Sequence, residues 1–557
     1  MPFLPTTLAE AKARGWDDLD IVIVTGDAYV DHPSFGAAII GRHLEAAGFR
    51  VGIIPQPDWR RDEDFLALGT PRLFFGVTAG NMDSLVNHYT AQRRLRHNDA
   101  FSPDGSAGMR PDRASMIYTN VLKRLFKKTP VMLGGIEASL RRIAHYDYWQ
   151  NKVRASILAD SKADWLVYGM GENASLEISR ALQNGTNPGQ IKDIPGTVVF
   201  SDQAPPDGEV ILPDNLACAD KPTFHRMTHL FEDHYQSDVI YQMNGNRWIR
   251  HNPPAKTLSE KELDELYGLP FEYAPHPRYK GKRIPAFEQI RHSITSHRGC
   301  YGGCNYCSLA LHQGRRISSR SAGSILKEAA LHARKRGKAV TITDVGGPTA
   351  NMYRSFCTLD FPLSCKRASC LHPDICPNLR TDPSAQLELL ENIEALPGIK
   401  HVFIASGIRH DLALQHPRFI EALAQKYTGG RIKLAPEHSS PAVLRLMRKP
   451  DVSSFESFAR EFFRCSDKAG LKRQIIPYII IGHPGTTMND ARELRRWLMR
   501  NNLWVEQVQE FTPTPMTIST CMYYTGLDYE TGKPIHIPQP GEVRRQKELA
   551  LWHRVQR

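Results

Sequence analysis

The chain has 557 residues, 41 % of them apolar, and a formal net charge of +12. That length is too great for one ordinary domain and predicts two to four, with enough apolar material for sizeable cores. No apolar run approaches the eighteen or more residues of a membrane span, and the start, MPFLPTTLAEAKARGW, lacks the apolar core of a signal peptide, so a cytosolic protein is expected.

Strand-like runs and helical patterns alternate through the first third. Asp20–Thr25 reads as a strand, and Gly36–Ala47 as a helix with Gly48 just past its end. Further strands are predicted at Val51–Pro55, Arg72–Val77, Thr129–Leu133 and Asp164–Tyr168, which points to a layered α/β domain over residues 1–200. Residues 201–285 carry more Pro, His and charge with weaker periodicity, and predict an irregular connecting segment with a short helix near Ser259–Tyr267.

From Gln289 the alternation resumes. Strands are predicted at Gln289–Ser296, Ala339–Thr343, Lys400–Ala405, Arg431–Ala435, Gln474–Ile481 and Val505–Phe511. Six strand–helix units over residues 286–530 suit a partial parallel barrel, a (β/α)6 fold. Residues 531–557 read as the start of a C-terminal extension. Glu542–Arg557 has helical spacing and stops without a cap signal, which fits a chain that continues past Arg557.

Cysteine placement carries the chemistry. Of ten cysteines, only Cys218 precedes Cys300, whereas seven fall between Cys300 and Cys376. In a reducing compartment such crowding favours metal or cluster ligation over disulfides. Cys300, Cys304 and Cys307 stand in HRGCYGGCNYC with C-x3-C-x2-C spacing. Three thiolates in a Gly-rich loop can wrap one face of a [4Fe–4S] cluster and leave one iron open, whereas zinc and ferredoxin clusters take four ligands. A zinc knuckle completed by His297 or His312 is the alternative.

This spacing, with an aromatic residue before the last Cys, resembles the radical S-adenosylmethionine superfamily. The resemblance implies that the open iron binds S-adenosylmethionine and reductively cleaves it to methionine and a 5′-deoxyadenosyl radical, which abstracts hydrogen from a substrate. It also implies cofactor contacts along the chain. Gly346 and Gly347, in Asp344-Val-Gly-Gly-Pro-Thr349, match the loop that receives the methionine amino group, with Pro348 where Glu is commoner. Ser406, Arg409 and Glu437 follow the third and fourth strands and would meet the ribose and carboxylate, and Gly482 lies in a stretch resembling the one that packs on adenine. No catalytic residue beyond these contacts can be named.

The chain more closely resembles the YgiQ-type family of that superfamily. The residues that carry the likeness are DAYVDHPSFG (Asp27–Gly36), GGIEASLRR (Gly134–Arg142), HQGR (His312–Arg315), SRS (Ser319–Ser321), DVGGPTANMY (Asp344–Tyr353) and YYTG (Tyr523–Gly526). The family supplies no settled substrate.

Cys357, Cys365, Cys370 and Cys376 form a second group, with Pro377 after the last and His372 as a substitute ligand, in a Cys-rich insertion over 354–380. Four thiols within twenty residues suit an auxiliary iron–sulfur cluster, a structural zinc, or no metal. Cys218, Cys465 and Cys521 are isolated and read as ordinary buried or half-buried thiols.

The first domain resembles the Rossmann-like cobalamin-binding module that precedes many radical S-adenosylmethionine cores. Its Asp-x-His-x-x-Gly signature is absent, because Asp31 and His32 are adjacent and Gly36 lies four residues on. Cobalamin is therefore not expected. Asp27, Asp31 and His32 follow the first strand, at the usual ligand edge of such sheets, and are read either as substrate contacts or as turn and cap formers.

Two rival functions stand beside S-adenosylmethionine cleavage. The basic balance suits an RNA-modifying version of the same chemistry, although scattered Lys and Arg also make an ordinary basic surface, so nucleic acid is not favoured. A non-catalytic iron–sulfur or zinc-stabilised binding or electron-transfer protein is the other. The expected partners are an unknown substrate and a cytosolic electron donor such as flavodoxin or ferredoxin, with no membrane.

Overall fold

The computed structural model describes residues 3–336, 339–359 and 365–554. The chain divides into two compact units. The first comprises Met1–Lys256, Glu265–Arg291 and Thr514–Met516, and the second Thr257–Asp264, His292–Pro513 and Thr517–Arg557.

In the first unit a nine-stranded sheet is built from β1 (Ile21–Thr25), β2 (Val51–Pro55), β3 (Phe74–Thr78), β4 (Val131–Leu133), β5 (Trp165–Val167), β6 (Thr197–Ser201), β7 (Val210–Leu212), β8 (Ile240–Asn244) and β9 (Arg247–His251). Their order is β7-β8-β9-β6-β5-β4-β3-β1-β2. The strands from β5 to β2 are parallel, in the doubly wound order 2-1-3-4-5. Every residue of β1 is buried, as its unbroken apolar run requires of a central parallel strand. The helix Gly36–Ala46 forms as predicted and stops before Gly48, whose φ of +96° suits glycine.

The connecting segment expected over 201–285 is not irregular. It contributes β7, β8 and β9 to this sheet and a 14-residue helix, Lys221–His234. The missed signal is Gly245-Asn246, a two-residue turn between runs of strand-forming residues. Those runs join the sheet by antiparallel pairing of β9 with β6, so their register comes from a partner some fifty residues away and not from strong local periodicity.

The second unit carries the expected six-strand architecture: β10 (Ser293–Thr295), a kinked second strand in two parts, β11 (Val340–Ile342) and β12 (Asp344–Gly346), then β13 (Ile399–Val402), β14 (Arg431–Glu437), β15 (Gln474–Ile481) and β16 (Gln509–Glu510). Pairing among these strands is parallel: β10 with β12, β11 with β13, β14 with β15 and β15 with β16, while an Ile408–Leu434 bridge links the third strand's extension to the fourth. Among the described residues no pairing closes β16 onto β10, so the barrel is open. Helices such as Ala322–Arg336, Ser384–Glu394, Val452–Lys468 and Met488–Arg500 cover the strands, and Ile325, Leu390, Phe458 and Trp497 fill one core with Ile342, Leu434 and Ile481. The expected C-terminal extension packs into this core as well: in the helix Pro540–Ala550, Ala550 is buried with these residues.

Candidate functional site

The chemistry-bearing residues of the second unit gather where parallel strands end, the rim at which such folds place function. The loop after β10 carries the three cysteines. Gly302 leaves a slot between two of their thiols: a β-carbon there would lie 3.4 Å from Cys300 Sγ and 3.9 Å from Cys304 Sγ. Burial raises the Cys307 thiol to about 12, with Cys304 and Cys300 adding to the rise, and burial also raises Cys300. Three such thiolates crowd one another unless a positive metal centre compensates them.

Among the described residues no group of three or more His, Cys, Asp or Glu side chains is arranged to hold a single metal ion. The zinc-knuckle alternative names His297 or His312 as the fourth ligand. His297 in particular is committed elsewhere: it is fully buried, with Nε2 3.0 Å from the Thr349 carbonyl and Nδ1 2.8 Å from Ser296 Oγ, and burial lowers its pKa to about 4. An iron–sulfur cube presents its irons at separate corners, so its thiolates need not converge on one point. The donor set, three cysteines on one loop with the Cys300 and Cys304 thiols beside the Gly302 slot, fits a cluster.

The loop is held in place from several sides. Tyr306, the residue before Cys307, donates its phenol proton to Glu437 Oε1 at 2.6 Å. Glu437 ends β14 with φ +67°, a left-handed conformation uncommon outside glycine, and Lys449 Nζ lies 3.8 Å from the same oxygen. Gly347 is required sterically, since a β-carbon there would fall 2.7 Å from both Nε2 and the carbonyl oxygen of His297. At Gly346 it would fall 2.9 Å from Ser406 Oγ.

Ser406 is occupied by Asp344, which accepts its hydroxyl and, through Oδ1, the backbone N–H groups of Ala405 (2.8 Å) and Ser406 (3.0 Å). This clamp ties the second strand to the third. Gly482, with φ +73°, faces the C-terminal helix: its N–H donates to Gln546 Oε1 at 2.8 Å, and a β-carbon would sit 3.0 Å from Val543. Arg409 is bound to Asp411 on one side and reaches Cys304 on the other. Sequence reasoning missed the roles of Asp344 and Asp411, although both lie within three residues of a residue it named.

The Cys-rich insertion folds onto this loop. Ser369 Oγ donates to the Gly302 carbonyl at 2.6 Å and the Cys370 N–H to the Tyr301 carbonyl at 3.1 Å. Gly303, at φ +63°, admits Ser369, which would lie 2.9 Å from a β-carbon. Burial pushes the Cys370 thiol up against the opposing influence of Arg315, and Cys376, Cys365 and Cys357 add to the rise. Cys357 and Cys370 line a cavity of about 270 Å³ with Tyr301 and Arg315. Cys218, Cys465 and Cys521 are buried, as read from the sequence.

In the first unit the three residues after β1 are packed inside. Asp27 pairs with Arg110 at 2.9 Å and accepts the Asn81 N–H at 2.7 Å, while burial raises its pKa to about 6. Asp31 forms a bidentate pair with Arg42, and His32 Nδ1 accepts the Ser34 N–H at 3.1 Å. Asp31 and His32 are at most 1 % exposed. Their turn-forming and pairing roles are the ones the structure displays.

Residues 3–293 match the family described as Radical SAM N-terminal, 294–498 the Radical SAM superfamily, and 506–550 a domain of unknown function, DUF3362. A UPF0313 protein of Geobacter sulfurreducens is 50 % identical over 99 % of this chain and 93 % of its own length. The UPF0313 protein YgiQ of Salmonella typhimurium is 44 % identical over 99 % of this chain and 86 % of its own. The chain belongs to the UPF0313, YgiQ-type family of radical SAM proteins.

It is thus an enzyme of the radical SAM class, whose members use an iron–sulfur cluster and S-adenosylmethionine. Among solved structures, the radical S-adenosylmethionine methyltransferase TsrM of Kitasatospora setae, with cobalamin and a [4Fe–4S] cluster bound, is similar with TM-score 0.51 at 14 % identity, over 96 % of this chain and 90 % of that one. OxsB, a cobalamin-dependent S-adenosylmethionine radical enzyme, aligns with TM-score 0.51 at 10 % identity, over 98 % of this chain and 63 % of that one. These likenesses bear on fold, a cobalamin-module-like unit followed by a radical SAM core. Both neighbours bind cobalamin, so the expectation that this UPF0313 protein does without it is not supported. No helix among the described residues is long and apolar enough to cross a membrane.

Proposed function

We propose that Cys300, Cys304 and Cys307 hold a [4Fe–4S] cluster that supplies the electron for cleaving S-adenosylmethionine to methionine and a 5′-deoxyadenosyl radical, which removes hydrogen from an organic substrate. The supporting observation is the Gly302 slot, with the Cys300 and Cys304 thiols on either side and Arg409 Nη1 3.8 Å from the same point.

The protein's own residues bind, orient and exclude water. The Tyr306–Glu437 bond and the Ser369–Gly302 bond fix the loop that carries the thiols. Glu437 and the Gly346–Gly347 backbone, at the ends of β14 and β12, are the groups we assign to S-adenosylmethionine. Ser406 and Gly482 act on the protein side, through Asp344 and the C-terminal helix. A small one-electron carrier of the flavodoxin or ferredoxin kind is the matching partner.

Anaerobically reconstituted protein, given dithionite and S-adenosylmethionine, should form 5′-deoxyadenosine. A Cys300/Cys304/Cys307 triple Ala variant should form none. Retained cleavage by that variant would overturn the assignment.

A further inference from the structure

A guanidinium has three nitrogens, and in Arg409 two of them are spoken for. Nε donates to Asp411 Oδ1 at 2.9 Å and Nη2 to Asp411 Oδ2 at 2.5 Å, a bidentate fork. The third, Nη1, lies 3.6 Å from Cys304 Sγ, within reach of an N–H···S hydrogen bond. The backbone is fixed as tightly: the Arg409 N–H donates to Asn351 Oδ1, and Asn351 Nδ2 donates to the Arg409 carbonyl, both at 2.9 Å. Arg409 is 7 % exposed and Asp411 8 %, so water competes little for either.

This arrangement leaves a cofactor carboxylate little of Arg409 to bind. Such a ligand would have to displace Asp411 from the fork or take Nη1 from the sulfur. The sulfur contact is already made, by a cation whose direction is set by its own carboxylate partner.

From this geometry we infer that Arg409 sets the reduction potential of the cluster by donating to the Cys304 thiolate, with Asp411 as the positioning residue that aims it. The inference rests on the assignment of Cys300, Cys304 and Cys307 as cluster ligands. Reduction adds one electron, and so one negative charge, to the cluster and its thiolates. A cationic N–H donor on a ligating sulfur stabilises that added charge more than it stabilises the oxidised form, and the potential rises. Asp411 reduces the net charge of the pair but keeps Nη1 on the sulfur.

The test uses the full chain, reconstituted anaerobically with iron and sulfide and without S-adenosylmethionine. The one-electron potential is read by dithionite titration of the paramagnetic signal that Cys304→Ala removes. Arg409→Gln should move the oxidised-to-reduced ratio about tenfold toward oxidised at a fixed potential, a shift of about 59 mV to the negative. Arg409→Lys, which keeps a cationic donor, should fall between that variant and the native protein. Asp411→Asn separates aim from charge: losing a negative charge would by itself raise the potential, whereas loss of aim lowers it, and we expect it to fall.

A native potential in an Arg409→Gln protein with full iron content would overturn the inference, and so would weakened S-adenosylmethionine binding with no change in potential. A rise in Asp411→Asn would remove the positioning role. If Arg409→Gln takes up no cluster, Arg409→Lys and Asp411→Asn still decide the matter. Failure of the ligand assignment looks different: the native protein would then show no signal that Cys304→Ala removes.

Discussion

The contact between Tyr306 and Glu437 tests whether the cysteine loop is braced from the fourth strand. Tyr306→Phe removes only the phenol oxygen, so it opens almost no cavity, and the loss is that of one hydrogen bond of 2.6 Å to a carboxylate. Hydrogen bonds to charged groups are worth about 1.5–3 kcal/mol. Glu437 is 6 % exposed, and its remaining partner, Lys449 Nζ, stands at 3.8 Å, too far to replace the lost donor. The expected loss is therefore about 2 kcal/mol in the unfolding transition of the second unit. Because the two units need not unfold together, denaturant curves are to be fitted transition by transition. A double-mutant cycle with Glu437→Ala, which removes the acceptor, isolates the pair, and the two residues should couple by about 1.5 kcal/mol or more. A coupling below about 0.5 kcal/mol, the level at which independent sites already add, would refute the brace.

Two further predictions concern the same unit. His297 and His438, at about 4, and His410 and His483, at about 3, are held neutral by burial, below the 6.5 of an exposed imidazole. The unfolded chain then binds more protons than the folded one from pH 6.5 down to the folded values, so stability present above pH 6.5 is lost on acidification. At pH 5.5 the loss is about 1.4 kcal/mol per histidine, and thermal midpoints measured from pH 7.5 to 5.5 should fall steadily; a flat profile would contradict it. Gly347→Ala places a methyl group 2.7 Å from two atoms of His297 and should lose about 1–3 kcal/mol, whereas Gly407→Ala, with nothing within 4 Å, should be near neutral. Equal thermal midpoints for the two variants would show that the close approach at Gly347 is not what demands glycine.

The spacing of the cysteine loop and the repeating architecture were legible in the sequence, because both are written in short range. Three cysteines at C-x3-C-x2-C spacing lie within eight residues, and each strand–helix unit announces itself by local periodicity. Gly346 and Gly347 were legible as special positions for the same reason. Tertiary structure decided who partners whom. Arg409 reaches Cys304 across 105 residues, Ser406 reaches Asp344 across 62, and Gly482 reaches Gln546 across 64. Such pairings follow from which strands lie side by side and from where one kinked strand turns. Single-residue chemistry cannot encode that: an arginine after a strand looks the same whether it will meet a cofactor carboxylate or Asp411 and a thiol. The insertion shows the same division. Its four cysteines were countable, but that Ser369 and Cys370 lie on the Tyr301–Gly303 backbone depends on hydrogen bonds closed across 67 and 69 residues. Only the folded chain brings those groups within reach, because the free energy that closes the loops comes from the surrounding core and not from the few residues that touch.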